Sequence, residues 1–346
     1  MKKIIFAFAI LISMGLQTFA QSIDTLKNEP VQYYFFVNNI PSDFNYPLIG
    51  IVNNVNGNHE SVQIGFANLT KGNFGGVQLG FANTVNGSVW GLQNGFINNA
   101  GSTFKGIQNG FINNVSGSVS GFQNGFVNLA NDSLIGLQTG FVNTAKNTIG
   151  VQVGFVNLTK NMIGFQHGFV NSAKKLTGVQ LGFINSVDTL EAGVPIGFLS
   201  FVKHGGFSAL ELSTNENYWI NLSFKIGTKA FYTFPVLSYN PDSSDRFALG
   251  FGFGSNISIT NKFFFNPEIS SSFAISNNIR NINSFNTSFG YELTNRLAII
   301  AGPSFTWNSP IVSTPINNDI MWLFDHDFSF IDDFAYGFKC AVRYTL

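Results

Sequence analysis

The sequence is poor in charge: only 10% of its 346 residues are Asp, Glu, Lys or Arg, where an ordinary soluble domain carries about 25%. The 18 basic and 18 acidic side chains balance. No basic patch is large enough for phosphate contacts, so nucleic acid is not an expected partner. Cysteine is nearly absent. The single Cys340 excludes an internal disulfide, so sheet hydrogen bonds and packing must hold the fold. That thiol sits in an expected terminal strand and reads as buried rather than reactive. Proline is scarce, at 10 residues, while 45% of residues are hydrophobic, a composition unlike that of disordered chains. No run of 18 or more apolar residues occurs, which excludes a helical membrane protein. A β-barrel stays open, because its strands hide apolar residues by alternation.

Glycine and phenylalanine are abundant instead, at 36 and 40 residues. The chain opens Met1-Lys2-Lys3, runs uncharged and apolar from Ile4 to Ile12, and reaches Thr18-Phe19-Ala20. This reads as a secretory signal peptide over residues 1–20. Its removal would leave 16 basic against 18 acidic side chains, a net charge of −2. An N-terminal segment at 21–49, with a first strand near 31–37, would precede the repeats.

The repeats are unmistakable. The unit is Gly-x-Gln-x-Gly-Phe-x-Asn followed by a variable linker, with complete copies beginning at Gly76, Gly91, Gly106, Gly121, Gly136, Gly150, Gly164 and Gly178. A variant copy starts at Ser61, half a copy at Gly50 and a degraded one at Gly193. The spacing is 15 residues up to Gly136, 14 up to Gly178, then 15 again. Linker centres such as Asn56-Gly57, Asn86-Gly87 and Ser116-Gly117 suit tight hairpin turns. Folding a hairpin about Gly101-Ser102 sets Leu92 opposite Phe111 and each glutamine opposite a glycine, with both faces preserved. The rival is a β-solenoid with one repeat per coil, in which Phe stacks on Phe and Gln on Gln.

After residue 201 the repeat stops but strand patterns continue. Candidate strands are 207–212, 218–226, 230–237, 246–259, 262–275, 282–293, 296–307 and 334–344. In 247–253 the residues Phe247, Leu249, Phe251 and Phe253 share one face, and Ala248, Gly250 and Gly252 the other. A bulky outside and a small or polar inside is the pattern of membrane-barrel strands. The expected fold is therefore all-β: an antiparallel meander over the repeat region (50–200) continuing into the barrel-like region (201–346) as one large β-barrel. The alternative is a β-solenoid repeat region plus a small C-terminal barrel.

The unit Gly76-Val77-Gln78-Leu79-Gly80-Phe81-Ala82-Asn83 and its copies resemble the glycine-rich surface-repeat proteins of Bacteroidetes-type bacteria and spirochaetes, over about residues 50–198. The C-terminal part resembles outer-membrane β-barrel proteins in general character. The resemblance implies an envelope or surface location and no established activity.

No catalytic, cofactor or metal site emerges. His59, His167, His204 and His326 are scattered, and His167 reads as a side chain on a sheet surface. Asp325, His326, Asp327, Asp332 and Asp333 form the one local concentration of ligands, but match no calcium loop. Trp322, Phe324 and Phe328 beside them suit a contact surface or interfacial belt. Two functions follow. One is a non-enzymatic structural or interaction protein of the outer membrane or cell surface, with outer-membrane lipid as partner and a surface protein or glycan as a further candidate. The other is an outer-membrane pore whose lumen is lined by Gln78, Gln93, Gln108, Gln123, Gln138, Gln152, Gln166 and Gln180.

Overall fold

The computed structural model describes residues 36–242, 246–274, 281–308 and 334–346. The expected leader, the start of the N-terminal segment and the cluster at 325–333 lie outside them. Two compact units divide the chain, one ending at Asn124 and the other beginning at Gly125.

In the first unit short and long strands alternate: β1 (Val37–Ile40), β2 (Leu48–Ile49), β3 (Val52–Val55), β4 (His59–Ile64), β5 (Ala67–Thr70), β6 (Phe74–Leu79), β7 (Ala82–Val85), β8 (Val89–Asn94), β9 (Ile97–Ala100), β10 (Phe104–Asn109), β11 (Ile112–Val115) and β12 (Val119–Asn124). Pairing is parallel and skips one strand. Gln78 lies beside Gln63 and Gln93, and Gln108 beside Gln93 and Gln123. Asn98 lies beside Asn83 and Asn113. This is a β-solenoid with two strands per coil, and it overturns the antiparallel meander and the single large barrel. Leu92 pairs with Val77 and Ile107, not with Phe111.

The reason is the chemistry of buried amides. Gln93 and Asn98 are wholly buried. Gln93 Nε2 donates to Gln78 Oε1 at 2.7 Å, and Gln108 Nε2 to Gln93 Oε1 at 2.8 Å. Asn98 Nδ2 donates to Asn113 Oδ1 at 2.8 Å and to the Asn109 carbonyl at 2.9 Å. An amide is donor and acceptor at once, so a copy of itself one coil away satisfies it. A glycine opposite would leave it unpaired, costing about 1–3 kcal/mol for each orphaned group.

The two glycines of the unit follow from the same stacking. Gly106 has φ +136°, and a Cβ there would sit 2.0 Å from the Gly91 carbonyl oxygen. At Gly110, a Cβ would lie 2.6 Å from Asn98 Nδ2, the amide that bonds the carbonyl just before it. Phe81 and Phe96 stack at 5.0 Å with rings nearly parallel. An extra coil opens the array: Val37-Asn38-Asn39-Ile40 repeats Val52-Asn53-Asn54-Val55, and Asn38 donates to Asn53 Oδ1 at 2.8 Å.

The second unit begins with further coils. Its β13 (Val127–His204) is a single strand by its pairing, but it passes through Gly136, Gly150, Gly164, Gly178 and Gly193 with φ of +120° to +143°. A straight strand would rise about 46 Å over one 14-residue repeat, yet the Phe155 and Phe169 rings stand 4.9 Å apart, so the chain returns once per repeat. Gln152, Gln166 and Gln180 each donate to the preceding glutamine at 2.7–2.8 Å. Pro195 is buried at the next glutamine position. Having no side-chain amide to donate, it leaves Gln180 Oε1 without a hydrogen bond.

The strands after residue 206 are antiparallel: β14 (Phe207–Thr214), β15 (Ile220–Gly227), β16 (Tyr232–Tyr239), β17 (Phe247–Gly254), β18 (Ile257–Ser258), β19 (Phe263–Ala274), β20 (Asn281–Glu292), β21 (Leu297–Asn308) and β22 (Phe334–Thr345). Neighbours pair in order, β17 pairs with β19, and β14 closes on β22 with Leu212 beside Val342. With the two-residue β18 as a side branch, the result is a separate, small eight-stranded barrel. The solenoid-plus-small-barrel alternative is thus the architecture found.

One core position of the first unit is out of character. His59 is wholly buried between the Phe44 and Phe74 rings, at 5.9 and 5.6 Å. Burial lowers its pKa from 6.5 to about 4, against a smaller opposing effect of the Val62 backbone. Between these values the unfolded chain binds the proton and the folded chain does not. The stability tied to the neutral ring is therefore full above pH 6.5, falls as pH drops toward 4, and is constant below that. Limited proteolysis of the first coils is expected to accelerate from pH 7 to pH 4.5. His59→Phe, which extends the aromatic column, should remove that acceleration; an unchanged pH dependence would contradict the assignment.

Candidate functional site

The barrel wall sorts its side chains in the sense opposite to a soluble protein. On β15, Ile220, Leu222 and Phe224 are exposed, while Asn221, Ser223 and Lys225 are buried. On β22, Tyr336, Phe338, Val342 and Tyr344 point out, while Lys339, Ala341 and Arg343 point in. The Phe face of 247–253 is turned outward and its small face inward, as its alternation predicts. Interior aromatics lie over bare backbone. Tyr232 pairs with Gly254, Phe234 with Gly252 and Phe264 with Gly290, and a Cβ on those glycines would strike the rings at 2.0–2.7 Å.

At the centre stands a buried ionic cluster of three cations, Lys225, Lys339 and Arg343, and two carboxylates, Glu211 and Glu268. Its formal charge is +1. Lys339 Nζ lies 2.7 Å from Glu211 and 2.6 Å from Glu268. Lys225 Nζ lies 3.2 Å from Glu211 and also contacts Glu268. Arg343 Nε donates to Glu211 Oε2 at 2.7 Å, and its Nη2 bonds Asn266 Oδ1. Tyr232 donates its hydroxyl to Glu268 at 2.5 Å and accepts from the Asn266 amide. Each of these charges occupies the inward phase of a strand, so the low-dielectric surroundings are tolerable only because the charges answer one another. Lys225 also lies 4.4 Å from the Phe234 ring centre.

Beside the cluster is a cavity of about 30 Å³ whose lining includes Ser213, Ser223, Ser270, Ser284, Asn286 and Lys339. Glu216, in the 215–219 turn, reaches down to Ser304 Oγ at 2.9 Å. Burial raises its pKa, favouring the protonated form. The arrangement can rigidify a barrel and hold a chain of polar groups inside it. Among the described residues no group of three or more His, Cys, Asp or Glu is placed to hold a metal.

The candidate glutamines stack inside coils, Gln78, Gln93, Gln108 and Gln123 in the first unit and Gln138, Gln152, Gln166 and Gln180 in the second, and all are wholly buried. His167 is exposed on a sheet surface and His204 is exposed as well. Cys340 is exposed on the outer side of β22, contrary to the expected burial, because it shares the outward phase of that strand with Phe338 and Val342. The ionic cluster escaped sequence reasoning. Its signal was present: in a chain so short of charge, Glu211, Lys225, Glu268, Lys339 and Arg343 all fall on the small or polar phase of alternating strands.

Removing one carboxylate tests the cluster. Glu211→Gln leaves a formal +2 and is expected to destabilise the barrel by about 3–5 kcal/mol, read as a lower urea midpoint in lipid or detergent. The double substitution Glu211→Gln/Lys339→Met should recover part of the loss. Additive losses would show that the two side chains are not coupled.

No protein-family model matches the chain, and no curated protein matches it. What characterises it is an all-β architecture, a solenoid with ladders of polar side chains together with a small barrel.

Proposed function

We propose that this protein is a non-enzymatic component of the bacterial outer membrane, in which the eight-stranded barrel spans the bilayer as an anchor and the solenoid is the scaffold it holds. The observation that carries this reading is the sorting of the barrel wall, with Leu, Ile and Phe outside and ionised groups inside. Only an apolar solvent makes that arrangement favourable, and a closed barrel leaves no unpaired edge in lipid. Eight strands enclose an interior just wide enough for side chains to fill, as the cluster does.

The protein should stay with the membrane through alkaline carbonate washing, and release by carbonate would refute the anchor.

A second reading is a narrow conduit through this small barrel, favoured by its hydroxyl-lined cavity. Planar-bilayer recording separates the two. The anchor predicts no steady current from the folded wild type. Steady conductance that changes with Lys339→Met would establish the conduit.

A further inference from the structure

The coils of the second unit carry the same inversion as the barrel. In the coil at 149–160, Ile149, Val153 and Phe155 are exposed and Val151, Val156 and Leu158 are half-buried on the outside. Thr148, Gln152, Asn157 and Thr159 are buried inside. The outward Phe126, Phe141, Phe155, Phe169, Phe183 and Phe198 form an unbroken column, each ring 4.9 Å from the next and each 39–45% exposed. Charge is confined elsewhere. Between residues 125 and 200 the charged side chains are Asp132, Lys146, Lys160, Lys174, Lys175, Asp188 and Glu191, all in the linkers. The Gly-Phe corner and the linker are the two bends of each coil, as the strand breaks of the first unit show at 95–96 and 101–103. One edge of these coils is thus aromatic, and the opposite edge carries every charge.

The aromatic edge does not end in water. Phe198 stacks on Phe251 at 4.1 Å. Thr233 on the adjacent strand donates its hydroxyl to the Phe198 carbonyl at 2.8 Å. Phe251 belongs to the outward row of β17 with Leu249 and Phe253, so the column runs without a break into the outer face of the barrel.

We propose that the phenylalanine edge of the coils at 125–200 is a lipid-contact surface, immersed in the apolar layer of the bilayer while the linker edge stays in water. The proposal rests on the reading of the barrel as membrane-spanning, because it extends the same surface. Two features fit lipid as the occupant. Backbone polar groups within stacked coils are paired, so no orphan N–H enters hydrocarbon. The segregation of charge to one edge is that of a body lying at an interface, with its apolar face in the acyl boundary. Beside the column the side chain able to carry charge is the exposed His167, so the edge offers an acidic or basic partner little to pair with.

Full-length protein in phosphatidylethanolamine–phosphatidylglycerol liposomes tests this, with a fluorophore on single cysteines in a Cys340→Ser background. The sites are Phe155→Cys on the aromatic edge, Lys160→Cys on the linker edge and Leu222→Cys on the barrel wall. Val153→Cys substitutes for Phe155→Cys should the latter not fold. The proposal predicts quenching by lipid-borne nitroxide at 155 and 222 at least threefold stronger than at 160, and quenching by aqueous iodide at 160 alone. Iodide quenching at 155 with lipid quenching retained at 222 would overturn the proposal and leave the barrel reading standing. Iodide quenching at 222 would sink both. Shielding of 155 from both quenchers would overturn lipid in favour of a protein cover, such as a second copy of this chain.

Discussion

A primary amide taken out of water must give away two protons and receive at least one. The repeats meet that demand by placing the same amide in the same place one coil further on. Parallel pairing, exact register, the two glycines and the outward phenylalanine are all consequences. A shift of one residue would face an amide with a methyl group and strand it. The ladder therefore specifies register more strictly than apolar packing does, since apolar side chains tolerate exchange of similar volumes. The coil interior shows this division of labour. Its apolar positions vary freely among Phe74, Val89, Phe104 and Val119, while glutamine recurs unchanged at 78, 93, 108 and 123.

In the second unit the coils and the barrel arrive at one surface chemistry by different routes. The coils bury neutral amides that satisfy one another along the stack. The barrel buries full charges whose pairing closes across it, from β14 and β15 to β19 and β22. Both can leave their large aromatics outside because the polar interior, together with the backbone ladder, supplies the order that an apolar core supplies elsewhere.

Much of this was legible in the sequence. The repeat, its period, the barrel strands after residue 206 and the outward phase of 247–253 all followed from spacing and alternation. The antiparallel reading failed in the repeats for an identifiable reason. Alternation is preserved whether identical units pair head to tail or side by side, so it cannot choose between them. The rule that a bulky side chain should meet a glycine on the next strand was sound, but it belongs to the barrel, where Phe234 lies over Gly252 and Phe264 over Gly290. Applied to Gln93 it set an amide against a position that returns no hydrogen bond. Counting donors and acceptors, rather than volumes, would have favoured the solenoid. The coil at 37–40 was missed although Val-Asn-Asn-Ile stands 15 residues before Val-Asn-Asn-Val, because it lacks the glycine and phenylalanine that define the unit.

Stacked coils expose a difficulty at their ends, where the last rung offers unused bonding capacity to any identical chain that drifts past. Here the last rung is not left bare. Pro195 ends the glutamine ladder, and Ser200 takes the place of the next ladder asparagine. The barrel then covers the coil, with Thr233 donating to the Phe198 carbonyl and Phe251 lying on the Phe198 ring. A stack whose final rung is occupied by a different fold of the same chain offers a second copy little to extend.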